Sequence, residues 1–300
     1  MRINPNMVPD MLSAIQQSQS TLQTALQQVS TGKSVIVPSD NPSASADMVQ
    51  NTIETADVDQ YTQNVSSVLS TVQTADSALS SVVSSLTQAV SLGIEGANGS
   101  DSASNQQAIA TQVKGILSSV VSQANLSYQG SYVFGGTAST QPPYTADSTS
   151  PSGYTYNGNN GVNSVPVGDH MSVQVNVPGS QIFSNSSTDV LGSLSSLVTA
   201  LQSGNTAAIS TATTNISAAL NYVSQQRVIY GNTESQLNAQ TTYLQQDTVN
   251  LASQATSLVG VDMATAATNL TQAETANSAA LAAASKVVPL TLLSYLSTPS

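Results

Sequence analysis

One column of apolar residues repeats at every seventh position through the C-terminal half of the chain. Its members are Ile209, Ile216, Val223, Tyr230, Leu237, Leu244, Leu251 and Leu258. A period of seven predicts one face of a single long helix, which we place from about 205 to 259. At about 1.5 Å per residue this helix would be roughly 80 Å long, so it needs partner helices of similar length.

Other stripes of the same period can supply those partners. The second long column is Val58, Val65, Val72, Leu79 and Leu86, with companions three positions further on at Tyr61, Val68, Ala75, Val82 and Ala89. A shorter stripe of the same period occurs near the N-terminus, at Ile15, Leu22 and Val29. Near the C-terminus we expect Leu281, Leu293 and Leu296 to lie in a helix seam, although they are not spaced by seven. The buried face of a compact bundle would explain any one stripe. Several long stripes together favour an elongated antiparallel long-helix bundle or coiled coil.

The pattern changes between 135 and 187. Turn-forming pairs such as Gly135-Gly136 and Pro142-Pro143 separate short alternating runs there. The runs 154–156 and 172–177 predict strands. The expected fold class is therefore mainly α with a small β-rich insertion.

We expect three parts in this chain. They are terminal helices at 1–45 and 260–300, a long-helix rod at 46–134 and 188–259, and the inserted β-rich domain at 135–187. Gly93 and Gly96 should end the second long helix, which Ser43 or Ser45 should cap at its start. Pro289 should kink or end the last helix.

Charged residues make up only 7% of the chain, and 16 acidic residues against five basic ones give a formal net charge of -11. The five cations are Arg2, Lys33, Lys114, Arg227 and Lys286. Nucleic acids and anionic membranes bind clustered cations, whereas these are scattered, so we exclude both as partners. A weakly charged surface favours packing beside copies of the same chain, although an extracellular composition bias explains it equally well.

Residues for catalysis or metal binding are scarce. The chain has no cysteine, which removes disulfides, thiolate ligands and thiol nucleophiles, and its only histidine, His170, lies in a predicted turn. We therefore expect no catalytic site, no metal site and no cofactor. No run of about 18 apolar residues and no cleavable leader occurs, so we expect neither a membrane span nor a signal peptide.

Arg227 is the only cation of the long helix, and Glu234 follows it one heptad later. Isolated polar residues in coiled coils fix the register between helices, which is one interpretation of Arg227. A solvated arginine is the other interpretation.

The loop after the first helix carries a recognisable motif. It reads Ser30-Thr31-Gly32-Lys33-Ser34-Val35-Ile36-Val37-Pro38-Ser39-Asp40-Asn41-Pro42. This segment resembles the Ser-x-Gly-Lys-Arg-Val-Asn-x-Pro-Ser-Asp-Asp-Pro signature of the bacterial flagellin family. The matching positions that we take as the family-motif loop are Gly32, Lys33, Pro38, Ser39, Asp40 and Pro42.

Two further segments resemble one branch of that family, the hook-associated protein 3 branch. Residues 129–137 are similar to its Gly-x-Tyr-hydrophobic-Phe-Gly-Gly-Thr motif, and 292–296 are similar to its Leu-Leu-x-Tyr-Leu tail. The tail separates this branch from filament flagellins.

The resemblance implies a structural role without enzyme activity. Members of the branch form an adaptor ring between the first hook-associated protein and the flagellin filament, and their terminal helices become ordered on assembly. The implied partners are other copies of the chain in a ring homo-oligomer, the first hook-associated protein, flagellin and a flagellar export chaperone. The implied location is the extracellular flagellum, reached unfolded through the flagellar export apparatus.

Two other functions remain open at this stage. A filament flagellin is the nearer alternative. A secreted coiled-coil adhesin or glycan-binding protein is the other, and it would use aromatic residues of the insertion, namely Tyr144, Tyr154 and Tyr156. An enzyme ranks third.

Overall fold

The computed structural model of the chain describes residues 7–98, 102–185 and 188–296, with side chains described within 9–286. The described helices are α1 (Met7–Thr31), α2 (Pro42–Gly96), α3 (Ala103–Ala124), α4 (Gly179–Ile182), α5 (Val190–Ser203), α6 (Thr206–Val259) and α7 (Met263–Leu296). The expected fold class, mainly α with a small β-rich insertion, is confirmed. The long helix predicted from about 205 to 259 is confirmed as α6.

Short strands occupy the stretch between α3 and α5. They are β1 (Ser127–Tyr128), β2 (Ser131–Tyr132), β3 (Tyr144–Ala146), β4 (Tyr154–Tyr156), β5 (Ser164–Gly168), β6 (Met171–Gln174), β7 (Ser184–Asn185) and β8 (Thr188–Asp189). They pair consecutively into four two-stranded antiparallel sheets. In the longest pair, Val165 lies opposite Val173, and the register shifts between Pro166 and Gly168.

The structure corrects expectations about three helix ends, two of them only in part. Helix α2 ends at Gly96, as expected, but not at Gly93. A glycine is needed at position 93 because an added Cβ would overlap the Oγ1 atom of Thr213. Asn41, not a serine, caps α2, since its Oδ1 accepts a hydrogen bond from Ala44 N at 3.1 Å. The last helix does not end at Pro289, since α7 continues to Leu296. The kink expected of a proline inside a helix stays a prediction.

The chain divides into two compact units. Unit 1 consists of Met1–Asp57 and Asp247–Ser300, and unit 2 consists of Val58–Gln246. Helices α2 and α6 contribute residues to both units.

The core of unit 2 is the seam between α2 and α6. The whole α2 column from Val58 to Leu86 is buried, and so is the α6 column from Ile209 to Leu244. Hydrogen bonds join Gln73 to Glu234 and Asp76 to Arg227, so residue numbers rise along α2 as they fall along α6. The two helices are therefore antiparallel. Each fully buried Leu or Val contributes about 1.5–3 kcal/mol, so the two buried columns stabilise unit 2.

Helices α3 and α5 pack against each other in the same unit. Both have side-chain caps: Ser102 accepts a hydrogen bond from Asn105 N, and Asp189 accepts one from Gly192 N. Gly204, with a φ of +68°, ends α5 in the left-handed conformation that glycine adopts most readily. The buried face of α5 consists of Val190, Leu191, Leu194, Leu197, Ala200 and Leu201.

Helix α2 is also apolar enough to cross a membrane by length and composition. Its best 18-residue window has a mean hydropathy of 1.3, and 33% of that window is buried. One such helix is weak evidence for a span, because core helices of other proteins meet the same criterion. In α2 the large apolar residues of the column alternate with Ser, Thr and Gln, as expected of a helix that buries one face.

We expect Leu237→Ala to destabilise the chain by about 2–5 kcal/mol, because it removes a fully buried side chain from the seam and leaves a cavity. The control is Ile229→Ala on the same helix, since Ile229 is 49% exposed. Urea unfolding followed by circular dichroism measures both variants. Equal effects of the two substitutions would contradict this assignment of the core.

Candidate assembly surfaces

The seam between α1 and α7 in unit 1 is built mostly from small or half-buried side chains. Among the side chains described on α1, from 9 to 31, only Ala25 is buried, while Ile15, Leu22 and Val29 are half-buried. Among those described on α7, from 263 to 286, the buried residues are Ala266 and Ala273, with Leu270 half-buried between them. Alanine buries little apolar area, so this seam is held more weakly than the one in unit 2.

Polar atoms inside the same seam weaken it further. Ser18 Oγ and Asn277 Oδ1 are buried and have no hydrogen-bond partner. A buried polar atom without a partner costs about 1–3 kcal/mol, because its hydration is lost and not replaced. The α1–α7 pair of a single chain therefore combines a small hydrophobic gain with a polar cost.

Not all of the seam residues predicted on α7 pack against α1. Leu281 is 47% exposed, so within one chain it lies outside the α1–α7 seam. The side chains of Leu293 and Leu296 lie outside the described residues. Their packing in an assembly stays a prediction.

Large apolar side chains remain on the outer faces of unit 1. They are Leu12 and Leu26 on α1, Val37 in the following loop, Val49 and Ile53 on α2, Val249 on α6, and Met263 and Leu281 on α7. Single exposed apolar residues are ordinary on a protein surface. Here every long helix of the unit carries at least one, which indicates faces that another protein chain can cover.

The α2–α6 seam in unit 1 contains a buried asparagine. Asn51 stands seven residues before Val58, in the position where the apolar column would continue, and is only 3% exposed. Its Nδ2 donates to Leu251 O at 3.0 Å and to Gln254 Oε1 at 3.2 Å. Leu251 is buried beside it, and Leu258 is half-buried. The buried polar group of this seam therefore has hydrogen-bond partners, unlike the two buried polar atoms of α1 and α7.

The family-motif loop is fixed to the turn between α6 and α7. Gly32 ends α1 with a φ of +69°, and Lys33 pairs with Gly260 as an isolated antiparallel bridge. Ser34 N donates to Val259 O at 2.7 Å, and Val261 N donates to Gly32 O at 3.0 Å. These backbone hydrogen bonds therefore hold the loop that follows α1 against the turn that precedes α7.

Asp40 orders the rest of that loop. Its Oδ2 accepts hydrogen bonds from Val37 N and Ile36 N, both at 2.9 Å, and these two amides lower the pKa of the carboxyl below its ordinary value. Pro38 and Ser39 lie exposed at the turn that Asp40 closes. Pro42 then occupies the first position of α2, where a missing N–H costs nothing.

The insertion is held against the long helices of unit 2 by three side chains, of which sequence analysis identified only Tyr230, and that as a residue of the apolar column. Gln240 Nε2 donates to Val167 O at 2.9 Å, and Asn64 Nδ2 donates to Pro166 O at 2.8 Å. Tyr230 OH accepts a hydrogen bond from Val177 N. In the sequence, the one sign of the Gln240 contact is that this polar residue lies beside the apolar column of α6.

The aromatic residues of the insertion form a small core. Phe134 and Phe183 meet edge to face with ring centroids 5.3 Å apart, and Tyr144 packs on Phe183. Tyr144 is 2% exposed, and its hydroxyl donates to Gly179 O at 2.9 Å. Burial raises the pKa of Tyr144 above its ordinary value. A sugar ring cannot stack on this side chain, which weakens the glycan-binding alternative.

Within the described residues, no group of three or more His, Asp and Glu side chains is arranged to hold a metal ion. His170 lies in the exposed turn between β5 and β6, as predicted. Its Nε2 atom is 3.2 Å from Oδ2 of Asp169. The groove beside the α1–α7 pair has a volume of about 470 Å³ and is lined by Ser, Thr, Gln, Asn and Ala. This lining lacks the charged and titratable groups of a catalytic site.

Family models match both ends of the chain. Residues 3–139 match the bacterial flagellin N-terminal helical region, and residues 213–296 match the bacterial flagellin C-terminal helical region. The chain belongs to the bacterial flagellin family. A comparison with curated proteins found no match.

Solved structures of similar fold extend this result. A protein of Vibrio parahaemolyticus described as a flagellar hook-associated protein has 20% identity and a TM-score of 0.67, over 73% of this chain and 99% of that one. FlgL of Bacillus cereus has 23% identity and a TM-score of 0.60, over 69% and 99%. The flagellar junction protein FlgL of Legionella pneumophila has 14% identity and a TM-score of 0.60, over 71% and 100%. At these identities the likeness shows that this flagellin-family chain shares their fold.

We expect Asp40→Ala to expose the amides of Ile36 and Val37 to faster hydrogen exchange, because it removes the acceptor that both use. Ser39→Ala in the same turn is the control. In the unchanged chain this protection is complete above the ordinary pKa of 3.8 and is lost as the pH falls through the lowered folded value. Unchanged exchange in Asp40→Ala would show that the carboxylate does not order the loop.

Proposed function

We propose that this chain is a structural adaptor of the bacterial flagellum, forming a ring that joins the first hook-associated protein to the flagellin filament. One observation carries the proposal. A chain with flagellin regions at both ends has a fold that covers nearly the whole length of proteins described as hook-associated or junction proteins. The 292–296 tail, which resembles the junction branch, favours this role over that of a filament flagellin.

The physical properties of unit 1 support assembly through the terminal helices. The α1–α7 seam buries mainly alanines and two polar atoms without partners, so a single chain gains little from forming it. The outer faces of the same helices expose Leu12, Leu26 and Leu281. Neighbouring copies that cover these faces would supply the missing apolar burial. Order in the terminal helices would then depend on assembly.

The proposal extends to organisation and partners. Terminal helices at 1–45 and 260–300 would make the contacts of the assembly, the rod at 46–134 and 188–259 would hold them in place, and the insertion at 135–187 would lie outside. The partners would be other copies of the chain, the first hook-associated protein, flagellin and an export chaperone. The chain would pass through the flagellar export apparatus to an extracellular position and would perform no catalysis.

Deletion of the gene tests the role directly. We expect cells with intact hooks that release flagellin into the medium, because the filament has no junction to grow on. Electron microscopy of the cells and immunoblots of the medium measure this. Normal filaments in the deletion strain would refute the adaptor role.

Complementation of that strain tests the surface. The double variant Leu12→Gln, Leu26→Gln should leave helix content unchanged but fail to restore motility, since both side chains are exposed in the single chain. Gln16→Ala, Gln23→Ala on the same helix is the matched control, because both glutamines are exposed and polar. Full motility with the leucine variant would show that α1 does not supply the contact surface.

Limited proteolysis tests the weakness of the terminal seam. We expect a non-specific protease to cut the purified monomer first within α1 and α7, because these helices open at a low free-energy cost. Mass spectrometry of the early fragments locates the cuts. First cuts in the middle of α6 would contradict the difference between the two seams.

A further inference from the structure

The apolar columns of α2 and α6 do not by themselves determine how the two helices align. Both columns repeat every seven residues. A slide of one helix by one heptad therefore places apolar residues against apolar residues again. Another feature of unit 2 must select the observed alignment.

Four polar side chains form two neighbouring pairs across the seam, which we term the register cluster: Gln73 and Asp76 on α2, Arg227 and Glu234 on α6. Arg227 Nε and Nη2 donate to the two carboxylate oxygens of Asp76, both at 2.9 Å. Gln73 Nε2 donates to Glu234 Oε1 at 2.9 Å. Arg227 is therefore bound in a bidentate pair, which excludes the interpretation of a simply solvated arginine.

A slide in either direction breaks the register cluster. If Glu234 takes the place of Arg227, two carboxylates face each other at Asp76. If Leu220 takes that place, Asp76 faces an apolar side chain. Only the observed register gives both Asp76 and Glu234 a partner, and facing like charges oppose the first alternative directly.

Close packing at the end of α2 adds a steric restriction in one direction only. Gly93 approaches Thr213 so closely that an added Cβ would overlap the threonine Oγ1. The slide that brings Glu234 to Asp76 also brings Leu220 to Gly93, where the larger side chain does not fit. The opposite slide brings Thr206 to Gly93. This threonine has the same size as Thr213, so it fits. Polar contacts must therefore exclude the second slide. They are the register cluster and the hydrogen bonds by which Asn64 of α2 and Gln240 of α6 bind adjacent residues of β5.

We propose that the register cluster is a specificity device that selects one register of the α2–α6 pair. Its ion pair is partly exposed, with 34% of the Arg227 side chain and 29% of the Asp76 side chain accessible, so its contribution to overall stability is small. Its effect lies in the penalty that it places on the wrong registers.

Spin labels on the two helices test the proposal in the purified full chain. The chain has no cysteine, so Ser66→Cys and Thr242→Cys provide the only labelling sites, both exposed and outside the register cluster. We expect one distance in pulsed electron resonance for the otherwise unchanged chain. Arg227→Glu should add a second, longer distance between the labels. The introduced carboxylate repels Asp76, and the slide that brings Thr206 opposite Gly93 meets no steric obstacle. Seven residues correspond to an axial movement of about 10 Å.

Exchange of the two charges provides the decisive comparison. Asp76→Arg with Arg227→Glu should restore the single native distance, even if Arg227→Glu alone fails to fold. Lys114→Glu makes the same change of charge on an exposed face of α3 and should leave the distance unchanged. A single native distance in Arg227→Glu, or failure of the exchange to restore it, overturns the proposal. Neither result bears on the adaptor role, since no flagellar partner is present in the measurement.

Discussion

Within each unit the structure depends on the antiparallel pairing of α2 with α6 along columns of apolar residues spaced by seven. In unit 2 that seam is continuous, with Leu79, Leu86 and Leu237 fully buried. The free energy from these side chains offsets the cost of ordering two helices of more than fifty residues, which neither helix could meet alone. The insertion and the α3–α5 pair complete unit 2 around this seam.

Unit 1 also pairs two helices, α1 and α7, but their contact buries less apolar surface. Alanine replaces leucine at the α1–α7 seam, two buried polar atoms lack partners, and apolar side chains remain outside. A strong seam in one unit and a weak one in the other is what a chain requires if part of it folds alone and part gains its stability from neighbours. In the proposed assembly, the exposed leucines of these helices would be the contact surface.

Polar residues beside the apolar columns determine position more than stability. Asn51 satisfies a gap in the α2–α6 seam of unit 1, Gln240 holds the insertion, and the Arg227–Asp76 pair distinguishes one register from its neighbours. Each replaces an apolar or solvated side chain at a small cost in stability. With charged residues at only 7% of the chain, each such position carries more of the specificity than it would in an ordinary protein.

The sequence by itself determined the helices, because a seven-residue period over many turns has no other regular interpretation. It located α6, the change of pattern at the insertion, and the family motif around Asp40. It did not determine every helix end, nor which polar groups met. Continuation of α2 through Gly93 depends on its approach to Thr213, and the partner of Arg227 lies 151 residues away at Asp76. Such contacts join positions distant in sequence, so only the tertiary structure decided them.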